Sequence, residues 1–163
     1  MDGSQRAAGR SQPAATEAGY SSLPDDLVGY RLRRVHSAFV EAWRAFFAAE
    51  GLAITPVGGG ILMSIAGTPG LTQTELARRL EIETPTLHEQ IKRLVQADLV
   101  VRAARPGDRR ATALSLTAAG VEVVTLIQRR IGAQEAEALA PLTAAERRLL
   151  GELLGRVLSA KRG

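Results

Sequence analysis

Apolar residues recur every three or four positions along most of the chain, and every second position in one short stretch. The first spacing is typical of amphipathic helices and the second of half-buried strands. The pattern predicts a long helix over 25–50, a shorter one from Pro56, two short helices beginning near 73 and at 84, a long helix over 118–139 and a last helix after Thr143. It predicts strands over 99–105 and 111–116, joined by a turn at 106–110. Residues 1–24 lack apolar periodicity and are predicted to be a disordered tail.

Residues that favour helix ends stand at the expected boundaries. Gly51 is placed to end the first long helix, and Thr84 to cap a helix whose first residue is Pro85. Thr72 with Glu75, and Thr143 with Glu146, have the spacing of capping boxes. The three glycines at 58–60 lack the Gly-Lys-Ser/Thr ending of a phosphate-binding loop, so they favour close packing between helices.

Two short helices with a tight connection, followed by a charged hairpin, are typical of a winged helix-turn-helix. The expected fold class is mainly α with a small β-hairpin wing, flanked by N- and C-terminal dimerisation helices. A chain of 163 residues has room for one such domain. The expected divisions are a tail at 1–24, an N-terminal dimerisation helix at 25–50, a winged helix-turn-helix region at 51–117 and C-terminal dimerisation helices at 118–163.

Positive charge is concentrated in the second short helix and the hairpin. Residues 84–110 hold six basic and three acidic side chains, in a chain whose net charge is +4. The second helix of a helix-turn-helix enters the major groove of DNA, where its side chains reach base edges and phosphates. The candidate DNA-binding residues are Thr84, Thr86, His88, Glu89, Lys92 and Arg93 on the helix, and Arg105, Asp108, Arg109 and Arg110 in the hairpin. The alternative interpretation of these charges is a solvated surface without a ligand.

The stretch LTQTELARRLEIETPTLHEQIKRLVQADLVVRAARPGDRRATALSLTAAG, residues 71–120, combines a short helix, a recognition helix, an Asp-Arg-Arg wing and a Leu-Thr-x-x-Gly exit. In this order it resembles the MarR family of bacterial transcription regulators. The resemblance implies that Arg110 enters the minor groove, that Asp108 orients it, and that Arg105 and Arg109 contact phosphates. Many relatives have glycine where this chain has Asp98. A peroxide-sensing branch uses a cysteine, and this chain has none.

The last helix carries an apolar seam that one small domain would leave uncovered. Its members are Leu149, Leu150, Leu153, Leu154, Val157 and Leu158. The seam predicts a homodimer, which would bind a pseudo-palindromic operator with half-sites about 10 base pairs apart. The alternative is an intrachain bundle that covers the same seam in a monomer.

The family resemblance also implies a small aromatic or phenolic acid as effector, bound between the dimerisation and DNA-binding regions. Tyr30, His36, Trp43 and Arg44, on or beside the first helix, are the candidate ligand-binding residues. Each also has a structural interpretation, with Trp43 in the core, His36 a hydrogen-bonded histidine and Arg44 on the surface.

Composition excludes several other functions. With no cysteine and only two histidines, His36 and His88, far apart in sequence, we expect no metal site and no cofactor. No nucleophile and base stand at a recognisable catalytic spacing, so we do not expect an enzyme. The absence of an apolar stretch long enough for a membrane span or signal peptide predicts a cytoplasmic protein without a membrane partner. The leading hypothesis is a repressor of nearby genes; an architectural DNA binder without effector, or a protein-interaction adaptor, are the alternatives.

Overall fold

The computed structural model describes residues 27–105 and 108–160, and for residue 105 and residues 108–111 it describes the backbone alone. The elements are α1 (Val28–Ala49), α2 (Pro56–Gly67), α3 (Gln73–Leu80), α4 (Thr84–Gln96), β1 (Val100–Arg105), β2 (Asp108–Leu116), α5 (Ala118–Ala138) and α6 (Ala144–Ala160). The chain divides into two compact units, Met1–His36 and Ser37–Gly163. The described part of the first unit holds only the start of α1, and all other elements belong to the second. The predicted tail lies outside the described residues.

The fold class expected from the sequence is confirmed, because the described residues form six helices and one small antiparallel hairpin. α1 ends one residue earlier than predicted, because Gly51 adopts a left-handed conformation with φ 69°. Gly51 N–H donates to the Ala48 carbonyl at 3.1 Å, and Leu52 N–H donates to the Phe47 carbonyl at 2.8 Å. This is a helix terminus that glycine adopts without the strain a side chain would add.

The helix-turn-helix is formed by α3 and α4, and both predicted capping boxes are confirmed. Thr72 accepts from Glu75 N–H at 3.3 Å while the Glu75 carboxylate accepts from Thr72 N–H at 2.8 Å. The pair Thr143 and Glu146 forms the same reciprocal bonds at the start of α6. Thr84, in contrast, is not the helix cap. It is the first helical residue, with Pro85 second, which is tolerated because first-turn N–H groups have no partner inside the helix.

The hairpin pairs β1 with β2 from Val100 opposite Leu116 to Arg105 opposite Asp108. β2 begins at Asp108, three residues before the predicted start at 111. The prediction was wrong because it used apolar alternation, whereas Asp108 pairs with Arg105 through the backbone after a register shift at Ala104/Arg105. The wing is also fixed to the start of α3, since Leu114 N–H donates to the Leu71 carbonyl at 2.9 Å.

The core lies where α2, α4, the hairpin and α5 meet. Its fully buried side chains include Ile61, Leu62, Ile65, Leu76, Leu87, Ile91 and Leu114. Three residues on the apolar helical repeats of α4 and α5, Val95, Val121 and Ile131, are exposed. Their neighbours Leu94, Val124 and Ile127 are buried, so the buried stripe of each helix is narrower than its apolar repeat.

α6 has no buried residue in this single chain. Leu149, Leu153, Val157 and Leu158 are each more than two-fifths exposed. The alternative of an intrachain bundle that covers this seam is therefore wrong. No helix in the described ranges is long and apolar enough to cross a membrane.

Candidate nucleic-acid interface and apolar cavity

α4 separates its side chains into a buried face and an exposed polar face. Leu87, Ile91 and Leu94 are buried against the core. The six helix residues singled out from the sequence are all exposed: Thr84, Thr86, His88, Glu89, Lys92 and Arg93. Glu83 gives the first turn of α4 no side-chain cap. The exposed face therefore offers hydroxyl, imidazole, carboxylate and cationic groups, next to a helix N-terminus whose dipole favours an anion.

The hairpin extends the polar surface beyond α4. Arg102 on β1 is exposed. Arg105 ends β1, and Asp108, Arg109 and Arg110 begin β2, at the end of the hairpin farthest from α5. The side chains of these four predicted residues lie outside the described part of the structure.

The junction between α4, β1 and α5 is held by main-chain contacts. Thr117 Oγ1 donates to the Asp98 carbonyl at 2.6 Å, and Thr117 N–H donates to the Leu99 carbonyl at 3.1 Å. A Cβ on Gly120 would overlap that Leu99 carbonyl oxygen. The glycine of the Leu-Thr-x-x-Gly motif thus has a steric role, because the first turn of α5 packs directly against the main chain that follows the recognition helix.

An apolar cavity of about 250 Å³ lies between α1, α2 and α5, within the second unit. Its lining residues are Trp43, Phe47, Pro56, Gly59, Gly60, Met63, Ile127 and Ile131. Trp43, Phe46 and Phe47 form a cluster with ring centroids 5.5–5.6 Å apart. Two larger clefts beside α5, of about 420 and 440 Å³, and one of about 390 Å³ between α3 and the hairpin have no aromatic lining. The smaller cavity is therefore the one suited to an aromatic ring.

Of the four candidate ligand-binding residues, Trp43 is the one that lines this cavity. Arg44 is exposed and forms an ion pair with Glu41 at 2.8 Å. Tyr30 and His36 belong to the first unit, where the Arg33 guanidinium lies 4.8 Å from the centroid of the Tyr30 ring. The sequence prediction missed Phe47, Met63 and the two α5 isoleucines. The aromatic spacing of α1 and the glycine run of α2 were the available signals.

The first turn of α2 separates this cavity from α4. Thr55 Oγ1 accepts from Gly58 N–H at 3.0 Å and donates to Gln90 Oε1 of α4 at 2.7 Å. A Cβ on Gly58 would lie 3.6 Å from the Leu94 side chain, while a Cβ on Gly59 would lie 2.9 Å from Phe47 Cζ. The two glycines thus face different neighbours. Close helix packing is confirmed at Gly59, whereas Gly58 is in ordinary van der Waals contact and a Cβ on Gly60 would meet nothing within 4 Å, so the prediction was wrong for Gly60.

The described residues contain no cluster of three or more histidine, cysteine or acidic side chains that could hold a metal ion.

A winged helix with an exposed recognition helix defines a class of DNA-binding regulators.

Comparison with known proteins identifies the family. The MarR family sequence model matches residues 54–111. A protein named as a transcriptional regulatory protein for the hcr operon of Thauera aromatica is 32% identical over 152 residues, which are 91% of this chain and 90% of that protein. The chain belongs to the MarR family of transcriptional regulators, and it is a DNA-binding regulator rather than an enzyme.

Solved structures agree with this family. PcaV of Streptomyces coelicolor, crystallised with its natural ligand, is 26% identical with a TM-score of 0.74, over 86% of this chain and 97% of that one. The transcriptional repressor CouR, bound to a 23-mer DNA duplex, is 27% identical with a TM-score of 0.74, over 82% of this chain and 94% of that one.

Proposed function

We propose that the protein is a dimeric repressor of nearby genes that binds a pseudo-palindromic operator and releases it when a small aromatic or phenolic molecule enters the α1–α2–α5 cavity. The observation that carries this proposal is the division of α4 into a buried apolar face and an exposed polar one. The second helix of a helix-turn-helix, when its apolar face is buried in this way, presents its exposed face to the major groove. Because the protein acts on bacterial DNA, we infer that it works in the cytoplasm.

The proposed DNA contacts fall into two groups. Thr84, Thr86, His88 and Glu89, near the N-terminal end of α4, are placed to reach base edges, and Lys92 and Arg93 to reach phosphates. In the wing, Arg110 would enter the minor groove with Asp108 as its orienting carboxylate, while Arg105 and Arg109 would contact phosphates. CouR, which has a similar structure, is a repressor bound to duplex DNA, and this supports the assignment.

The proposed homodimer follows from α6. A helix of 17 residues with none buried exposes four large apolar side chains, and a second copy of the chain would remove them from water. A two-fold dimer places two copies of α4 on one side of the duplex, about one helical turn apart. The expected operator is therefore a pseudo-palindrome.

The proposed effector class follows from the cavity lining. The wall is aromatic and aliphatic, so the bulk of the binding energy would come from burial of a flat apolar ring. PcaV, of similar structure, binds a natural ligand, which supports a ligand-responsive role. Arg44, on α1 within the second unit, remains a candidate for the polar end of a phenolic acid.

Operator binding is tested with the DNA upstream of the protein's own gene. Fluorescence anisotropy would compare this fragment with a scrambled duplex of equal length at two salt concentrations. We expect preference for the upstream fragment that persists near 150 mM salt, because specific contacts add to the salt-dependent phosphate contribution. Equal affinities for the upstream and scrambled duplexes, both falling steeply as salt is added, would favour an architectural DNA binder. A protein that binds neither duplex would favour an adaptor.

Effector binding is tested with two probes that differ by one carboxylate, 4-hydroxybenzoate and phenol. Trp43 is the chain's single tryptophan and lines the cavity, so its fluorescence reports occupancy directly. We expect saturable quenching and a matching loss of operator affinity. A Met63→Phe variant, which narrows the cavity without adding a second tryptophan, should weaken both effects. Quenching without any change in operator affinity would contradict the proposed relief mechanism.

A further inference from the structure

The two adjacent glycines of α2 place the cavity and the recognition helix against two different sides of a single helical turn. Gly59 faces Phe47 and the cavity, and Gly58 faces Leu94 and Gln90 of α4. Successive residues of an α-helix point about 100° apart, and here neither position carries a side chain. At these two positions no side chain separates the α2 backbone from its neighbours. A displacement of the α2 backbone by a molecule in the cavity would therefore be passed directly to α4.

One hydrogen bond joins this turn to the middle of the recognition helix. Thr55 Oγ1 donates to Gln90 Oε1 at 2.7 Å, and the pair is partly buried. The same hydroxyl accepts from Gly58 N–H, so the bond also depends on the position of the first turn of α2. Gln90 lies between Glu89 and Ile91, within one turn of the exposed residues Thr86 and Arg93. A shift of the turn would therefore reorient the DNA-facing surface.

We propose that Thr55 and Gln90 couple the cavity to the recognition helix: an occupant that presses on Pro56, Gly59 and Gly60 moves the first turn of α2, and the Thr55–Gln90 bond transfers this movement to α4. This inference rests on the proposed effector function and names the pair of residues through which it acts. Gln90 is a positioning residue, because it acts through α4 rather than by contact with DNA bases.

The cavity can be occupied without knowledge of the natural effector. Gly60 lines the cavity, and a Cβ added there meets nothing within 4 Å. Gly60→Phe would supply a tethered phenyl ring, and a cavity as small as about 150 Å³ accommodates benzene. Gly60→Ala is the matched control, because it makes the same change in backbone freedom without filling the cavity. Thermal melts and sedimentation would verify that each variant is folded and dimeric.

The test is a double-mutant cycle with Gln90→Leu, which removes the acceptor but leaves the Thr55 cap on Gly58. Operator Kd values would be measured for Gly60→Phe and Gly60→Ala, each with Gln90 and with Gln90→Leu. With Gln90 present we expect Gly60→Phe to bind the operator about tenfold more weakly than Gly60→Ala, within the usual range of allosteric coupling. With Gln90→Leu we expect the ratio to fall below about twofold. Equal ratios in the two backgrounds, or no difference between the two Gly60 variants when Gln90 is present, would overturn the coupling.

A second readout does not depend on DNA. Hydrogen exchange of α4 amides should be faster in Gly60→Phe than in Gly60→Ala when Gln90 is present, and equal when it is replaced. This comparison decides the coupling even if Gln90→Leu binds the operator too weakly to measure. It also separates two failures, because a parent protein with no preference for the upstream DNA counts against the proposed function, while an exchange pattern independent of Gln90 counts against the coupling.

Discussion

At the scale of single residues, the closest packing in the winged helix involves positions without side chains. Gly120 lies against the Leu99 carbonyl, and that carbonyl also accepts the Thr117 N–H. The positive φ values belong to Gly51 and Gly70 among described glycines, and to Glu81 and Asp98 among other residues. Two helix ends thus adopt a left-handed conformation with a side chain present, which costs roughly 1–2 kcal/mol for most residues and less for Asp.

Gly120→Ala should destabilise the protein, because the added methyl group meets a main-chain carbonyl that cannot rotate away. We expect a loss of about 2–3 kcal/mol in the free energy of unfolding, measured by urea denaturation. Gly132→Ala, also in α5 but with open space around its Cβ, is the control and should be neutral or stabilising by up to about 1 kcal/mol. Equal stabilities for the two variants would refute the steric role of Gly120.

Asp98→Gly should stabilise the protein by roughly 0.5–1 kcal/mol, since Asp98 has φ 55° at the end of α4 and glycine adopts this conformation freely. Asp98→Ala should instead destabilise it. Asp98, which stands where many relatives have glycine, would then be a strained residue that the fold tolerates. A lower melting temperature for Asp98→Gly would show that the aspartate contributes more than its backbone strain costs.

At the scale of elements, the helices and both capping boxes could be predicted from the sequence because their causes are local, whereas the cap predicted at Thr84 was wrong. The side chains of Thr72 and Glu75 each accept a hydrogen bond from the backbone N–H of the other, within four residues. Gly51 ends α1 because it adopts a positive φ. The start of β2 was missed because pairing of Asp108 with Arg105 is a contact between strands that leaves no apolar alternation. The exposed residues of α4 could be predicted from the helical period alone. The cavity could not, because three helices form it and only the aromatic residues of α1 indicated it in the sequence.

The wing prediction is tested by comparison of two arginines. Arg110→Ala should weaken operator binding at least tenfold. The substitution removes a side chain that supplies both positive charge and recognition of a narrow minor groove. Arg148→Ala, on the exposed surface of α6, should change the operator Kd less than about twofold. Indistinguishable Kd values for these variants would contradict the assignment of Arg110.

The cap of α6 gives a pH prediction. Hydrogen bonds from the Thr143 backbone and hydroxyl hold the pKa of the Glu146 carboxyl below its ordinary value of 4.5. A carboxyl whose pKa is lowered by folding stabilises the native state above its unfolded pKa, and this contribution is lost as pH falls through the folded pKa. Thr143→Ala removes the hydroxyl but keeps the backbone N–H, so it should raise the pKa of Glu146 part of the way towards its ordinary value in an NMR titration. An unchanged titration curve would exclude the Thr143 hydroxyl as a cause.

At the scale of the whole molecule, two features of one chain point to a larger assembly. α6 leaves its leucine seam uncovered, and α5 has exposed apolar residues at Val121 and Ile131. A dimer formed through these helices would carry two winged helices, each linked to its cavity through α2. Operator affinity would then depend on simultaneous binding of both half-sites, which multiplies the affinity of one half-site by about 100-fold or more.

Leu153→Asp should shift the dimer towards monomer, because a charge would be placed in the apolar seam without a partner. Sedimentation velocity at micromolar concentration should show the change, and operator affinity should fall by about 100-fold. Glu152→Asp introduces the same residue at a position that is already charged, and should remain dimeric. A fully dimeric Leu153→Asp protein would place the interface elsewhere.

The two tightly packed glycines differ in what they touch, and this has a genetic consequence. Gly59 approaches a side chain, Phe47, so a shorter residue at position 47 could compensate for an alanine at 59. Gly120 approaches the main-chain oxygen of Leu99, which every amino acid carries. A screen for second-site suppressors should therefore recover revertants of Gly59→Ala at Phe47, while Gly120→Ala should yield true reversion at its own codon and no suppressor at position 99.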